Sequence, residues 1–102
     1  MSVLMTLRAS ADVKRLEDFA AENPEKMRSI VERAQQAGVI AHRFYGTEGG
    51  QIMVVDEWES EEGFQAFFQE AGALIRPMMQ AAGVTSEPEI KFWRKLSTGD
   101  DV

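Results

Sequence analysis

The chain has no cysteine, one histidine and three prolines in 102 residues. Without thiols there is no disulfide framework, no thiolate nucleophile and no thiolate metal site. A lone imidazole, His42, excludes a three-histidine zinc site or a two-histidine-one-carboxylate iron site within one subunit, so no metal is expected. Basic residues are scarce too: 11 Lys and Arg stand against 17 Asp and Glu, leaving a net charge of −6. They are scattered singly, and a phosphate backbone needs them clustered, so no nucleic-acid partner is expected. Val3-Leu4-Met5 is far too short for a signal-peptide core or a membrane span; no membrane partner and a cytoplasmic location are the expectation. A Gly-x-Ser-x-Gly elbow is missing. The glycines at Gly46, Gly49 and Gly50 join two strands instead of opening a helix, which makes them a hairpin turn and not a phosphate cradle.

What is present is ordinary globular material, 44% hydrophobic and 27% charged, enough for one domain with a real core. Val3 to Arg8 alternates as a first strand. Asp12 is placed to cap a helix whose apolar stripe is Val13, Leu16, Phe19 and Ala20. Asn23-Pro24 restarts it, proline at the first helical position costing no hydrogen bond. Met27, Ile30, Val31 and Ala34 continue the stripe, and Gly38 sits where a left-handed C-terminal residue belongs. Val39 to Tyr45 reads as the second strand and Gln51 to Glu59 as the third. A second helix opens at Ser60, with Phe64, Phe67, Phe68, Ala71, Ile75, Met78 and Met79 on its buried side. Gly72 and Pro77 are expected to interrupt it, by a kink or a division into two pieces. Glu89 to Leu96 is the fourth strand, and 97–102 a loose acidic tail after a single domain spanning 1–96.

Strand, helix, strand, strand, helix, strand is the order of two split βαβ halves. The expected fold is α+β and ferredoxin-like, βαββαβ, a four-stranded antiparallel sheet with helices on one face. A sheet wet on its other face should alternate apolar with polar. The third strand does not, with Ile52 and Val54 on one side and Met53 and Val55 on the other. A second copy of the chain is the expected cover, which makes a homodimer through the open sheet face.

The run Val54-Val55-Asp56-Glu57-Trp58-Glu59-Ser60-Glu61-Glu62-Gly63-Phe64 carries a resemblance. With the element order and the two-faced sheet, it resembles the dimeric α+β barrel superfamily, and within it antibiotic-biosynthesis-monooxygenase-like domains. Their signature is an apolar strand ending in Trp, then an acid or polar residue, Ser, and an acidic helix start with an aromatic residue or Leu a turn later. The architectural likeness covers roughly residues 3 to 96, the diagnostic motif only Val54 to Phe68. The superfamily includes cofactor-independent oxygenases, haem-degrading enzymes, dismutase- and decyclase-like enzymes and small proteins of no assigned activity. Trp58 matches the strand-end Trp that haem-degrading members set against the porphyrin. Those members also use a His on the following helix and an Asn on the first strand, and this chain has neither. Haem oxygenation is therefore not expected, and no cofactor is.

His42 is then the candidate catalytic base, since imidazole near its ordinary pKa can deprotonate an acidic phenol or enol. Strand alternation puts it on the face of Ile40 and Phe44. The competing reading is a half-buried imidazole hydrogen-bonded to backbone or to a cross-strand carboxylate such as Asp56. Trp58 is either one wall of an aromatic pocket or core at the strand–helix junction. Phe44, Phe67, Phe68 and Met79 are the further candidate ligand-binding residues, soft enough to line a variable pocket and equally able to be plain packing. Tyr45 reads as surface. Asp56 and Glu57 point to opposite faces, with Arg43 the expected partner of one of them, and Lys91 shares a face with Trp93, a stacked cation and ring at the subunit contact. Two functions are open: a monooxygenase-like enzyme acting on an aromatic or polyketide-type compound, or a non-catalytic dimeric module that binds a small hydrophobic ligand or serves only as an interaction partner.

Overall fold

Asp12 ends the first strand's connection and starts the first helix, because its carboxylate accepts the backbone N–H of Arg15 at 3.1 Å. The computed structural model describes residues 1–102. It runs β1 (Val3–Ser10), α1 (Val13–Glu22), α2 (Pro24–Ala37), β2 (Val39–Thr47), β3 (Gln51–Trp58), α3 (Glu61–Glu70), α4 (Gly72–Ala81) and β4 (Glu89–Trp93). Pro24 opens α2 at its first position. Asn23 precedes it without capping: its side-chain amide donates back to the Phe19 carbonyl at 2.9 Å and so closes α1. Gly38 ends α2 in the left-handed region at φ 108°, a conformation only glycine adopts freely. The Ser60 hydroxyl accepts the Gly63 N–H at 3.0 Å and caps α3, with Glu61 and Glu62 in the first turn. Gly63 has a further reason to be glycine: a Cβ there would lie 2.5 Å from the Ala37 carbonyl oxygen, so the start of α3 packs backbone to backbone on the end of α2.

The strands form one antiparallel sheet in the order β2-β3-β1-β4, and the fold is α+β and ferredoxin-like. Met5, Leu7, Ile52, Val54 and Trp58 on the sheet meet Leu16, Ile30, Phe64, Phe67, Ile75 and Met78 from the helices in a single buried cluster. The opposite face carries Leu4, Thr6, Arg8, Ala41, Arg43, Tyr45, Met53, Val55, Glu57, Glu89, Lys91 and Trp93 by register. Nothing in the chain covers it, and Leu4, Tyr45 and Trp93 are 41%, 53% and 49% exposed.

Several local expectations need correction. The helix after Ser60 divides at Ala71, one residue before Gly72, whereas Pro77 lies inside α4; the burial of Ile75 and Met78 on either side holds a turn that proline by itself disfavours. β4 stops at Trp93 because its partner runs out: Trp93 pairs with Leu4, and β1 begins at Val3. Leu96, expected at the end of that strand, is 56% exposed. Arg43 pairs neither carboxylate. Asp56 is bonded to His42 and Trp58, and Glu57 accepts the Ser2 hydroxyl. Ile40, expected on the face of His42, falls at an irregularity and has no cross-strand partner. A bulge between Val39 and Ala41 inserts it as an extra residue, 53% exposed, and every later residue of β2 is shifted by one.

Candidate functional site

The bulge in β2 decides the geometry of the site. Without it, Val39 facing Trp58 would put Ala41 on the core side and His42 on the open face. With it, His42 stands directly across from Asp56 and Phe44 across from Val54, all on the helix-covered side. His42 Nδ1 lies 2.6 Å from Asp56 Oδ1. The second carboxylate oxygen, Oδ2, accepts the indole N–H of Trp58 at 3.0 Å. Asp56 is thus a charged residue only 4% exposed with both oxygens engaged, and no buried side-chain polar atom in the chain lacks a partner. The imidazole is more open, its side chain 32% exposed, and Nδ1 makes its one hydrogen bond within the protein.

His42 and Asp56 are the two polar residues in the wall of a cavity of about 70 Å³ between the sheet and α2, α3 and α4. Fifteen of the 17 lining residues are hydrophobic, among them Phe44, Phe67, Phe68 and Met79. The structure therefore brings His42 together with four of the five aromatic and methionine candidates around one space. Trp58 is the exception: it is 0% exposed and lies outside the lining. Phe64 and Phe67, which do line the cavity, meet its ring edge-on and tilted, at centroid distances of 5.5 and 5.4 Å. His42 meets Phe44 edge-on at 5.2 Å. The sequence reading missed the contribution of α2, whose Met27, Ile30 and Val31 close the cavity from the opposite side. Their helical spacing marked them as apolar, yet spacing alone separates no lining residue from its packed neighbours.

Fold and cavity together define a ferredoxin-like α+β protein with an apolar chamber under its helices. Comparison with other proteins narrows this one step further. No protein-family model matches the sequence, and no curated protein matches it either. Solved structures do. A monooxygenase of Streptomyces coelicolor in complex with nanaomycin D is similar at TM-score 0.70 and 13% identity, over 95% of this chain and 89% of that one. A cofactor-independent oxygenase of Streptomyces nogalater is similar at TM-score 0.64 and 15% identity, over 98% of each chain. A conserved protein of Methanosarcina mazei gives TM-score 0.66 at 16% identity, over 94% of each. The fold is one that solved antibiotic-biosynthesis-monooxygenase structures share. At such identities the likeness is one of fold, and the chemistry has to be argued from the side chains.

Proposed function

We propose that this protein is a monooxygenase-like enzyme acting without a cofactor on an apolar aromatic or polyketide-type compound, with His42 as the base. The observation that carries this reading is the placement of the chain's one imidazole in a wall whose other residues, Asp56 apart, are all apolar. An apolar wall selects a neutral ring, and Asp56, the other polar group there, disfavours an anionic one. The substrate enters as a phenol or enol and gives its proton to His42. The carbanion form then reduces dioxygen: an activated CH₂ carbon adds O₂, the O–O bond breaks, and one oxygen leaves as water with both hydrogens. The carbon remains as a carbonyl, and its four electrons account for both oxygens. A cofactor-independent oxygenase of Streptomyces nogalater and a monooxygenase of Streptomyces coelicolor share this fold, which supports the reading.

A second reading, a module that binds a small hydrophobic ligand without turning it over, draws on the size of the chamber. About 70 Å³ is roughly half the ~150 Å³ known to admit benzene, so any ring must displace side chains. Met5, Met27, Met78 and Met79 in the wall are the pliable ones. Oxygen uptake with a dihydroxynaphthalene or an anthrone as probe separates the readings. The enzyme consumes oxygen in proportion to product, and His42→Ala abolishes it while leaving the oligomer intact; activity retained in that variant would assign the chemistry elsewhere. Binding without oxygen uptake supports the module.

We propose also that the uncovered sheet face pairs with a second copy of the chain, since Leu4, Tyr45 and Trp93 otherwise stand in water. A solved dimeric ferredoxin-like protein from an uncultured marine organism, similar at TM-score 0.61 and 18% identity over 99% of this chain and 93% of that one, supports this.

A further inference from the structure

We infer that Asp56 and Trp58 are positioning residues that set which nitrogen of His42 carries the proton, with Trp58 acting through its indole N–H and not as a pocket wall. The inference deepens the reading of His42 as a base and rests on it only for the consequence in turnover. Three side chains are joined in a line. Trp58 Nε1 donates to Asp56 Oδ2 at 3.0 Å, and Asp56 Oδ1 faces His42 Nδ1 at 2.6 Å. An ionised carboxylate only accepts, so the facing Nδ1 carries the hydrogen and a neutral ring leaves Nε2 with a free lone pair. Nε2 has no partner within the protein. It is the nitrogen left to take a proton from a ligand.

The role of Trp58 follows from what an indole cannot do. It is a donor with no acceptor atom, and here it is fully buried with its hydrogen committed to Asp56. Replace Asp56 by Asn, which matches it in shape but has one oxygen and one NH₂. The oxygen must go to the indole N–H, because an NH₂ there would set donor against donor in a dry site. The NH₂ then faces His42 Nδ1, which has to become the acceptor, and the hydrogen moves to Nε2. Nε2 then donates, and the ring has no free lone pair left to take a proton. The carboxylate of Asp56 tolerates either histidine tautomer poorly except one; the amide with Trp58 behind it enforces the other.

His42 is the chain's only histidine, so its imidazole nitrogens give an unambiguous ¹⁵N spectrum at a pH where the ring is neutral. The wild-type protein is expected to show a protonated, pyrrole-type Nδ1 and an unprotonated, pyridine-type Nε2. In Asp56→Asn the two signals exchange character. Adding Trp58→Phe to that variant removes the donor that fixes the amide, so the exchange is expected to become incomplete and part of the Nδ1 hydrogen to return, whereas Trp58→Phe alone leaves the tautomer as it is. A role confined to packing would move none of these assignments in this pattern. A wild-type ring protonated on Nε2, or an Asp56→Asn ring that keeps its hydrogen on Nδ1, overturns the inference; the wild-type spectrum decides even if the variant fails to fold. On the oxygen-uptake assay, Asp56→Asn is expected to lose on the order of 10²–10⁴ in rate, the usual worth of a general base. Should the wild-type protein show the stated tautomer but no turnover of any probe, the positioning stands and the oxygenase reading falls.

Discussion

Trp58 shows how one side chain can serve packing and polarity together. Its ring is fully buried against Phe64 and Phe67, while its one polar atom reaches Asp56. Truncating a large buried aromatic leaves a hole the surroundings fill only in part, and here it also strips a buried carboxylate of a donor. Trp58→Ala is expected to cost about 3–5 kcal/mol of stability, read as a fall in the urea midpoint; a loss below about 1 kcal/mol would mean that the ring is not part of the packed core. At this scale much was legible beforehand. A Trp closing an apolar strand and an acid two residues earlier on the same face are plain in the sequence, as is His42 with Asp56 as one of its conceivable partners. The donation from Trp58 was not, since it depends on two side chains of one strand leaning toward each other.

The end of α2 and the start of α3 meet backbone to backbone. The Gly38 carbonyl accepts the Glu59 N–H at 2.9 Å, and Gly63 lets the first turn of α3 press on the Ala37 carbonyl. Glycine to alanine inside a helix ordinarily stabilises. At position 63 the sign should reverse, because the obstacle 2.5 Å away is backbone that cannot swing aside. Gly63→Ala is expected to lose about 1–3 kcal/mol by overpacking, measured by thermal or urea unfolding; a gain would mean that the two helix ends separate freely. The caps at Asp12 and Ser60 and the glycine at the end of α2 could be read from residue type. The β2 bulge could not: Val39 to Tyr45 looks like an unbroken strand, and only pairing against β3 exposes Ile40 as the extra residue. Because side-chain direction in a strand has a period of two, that one insertion moves His42 from the open face to the cavity.

For the molecule as a whole, the sheet has one face packed and one face bare. The bare face mixes Leu4, Met53, Val55, Tyr45 and Trp93 with charges at its margins, and Lys91 lies over the Trp93 ring at 5.9 Å. A patch of this kind is a marker of association. Sedimentation is expected to give twice the 11.4 kDa mass of the chain. Leu4→Lys with Trp93→Lys, two residues that pair across β1 and β4, should shift the protein toward monomer with the helix-side core unchanged. A wild-type chain that stays monomeric in dilute solution would refute the pairing. No helix is long and apolar enough to cross a membrane.

Apolar periodicity, capping residues and the Trp-Glu-Ser strand-to-helix junction were sufficient by themselves for the element order, the antiparallel α+β sheet and the resemblance to oxygenase-type domains. These depend on neighbours along the chain, and the chain displays them. Which residues surround the cavity, how small it is, and why Trp58 supports His42 through Asp56 without touching the chamber depend on strand register and on α2 closing over the sheet. Such relations join residues far apart in sequence, where hydrophobicity names the participants and only packing assigns their places.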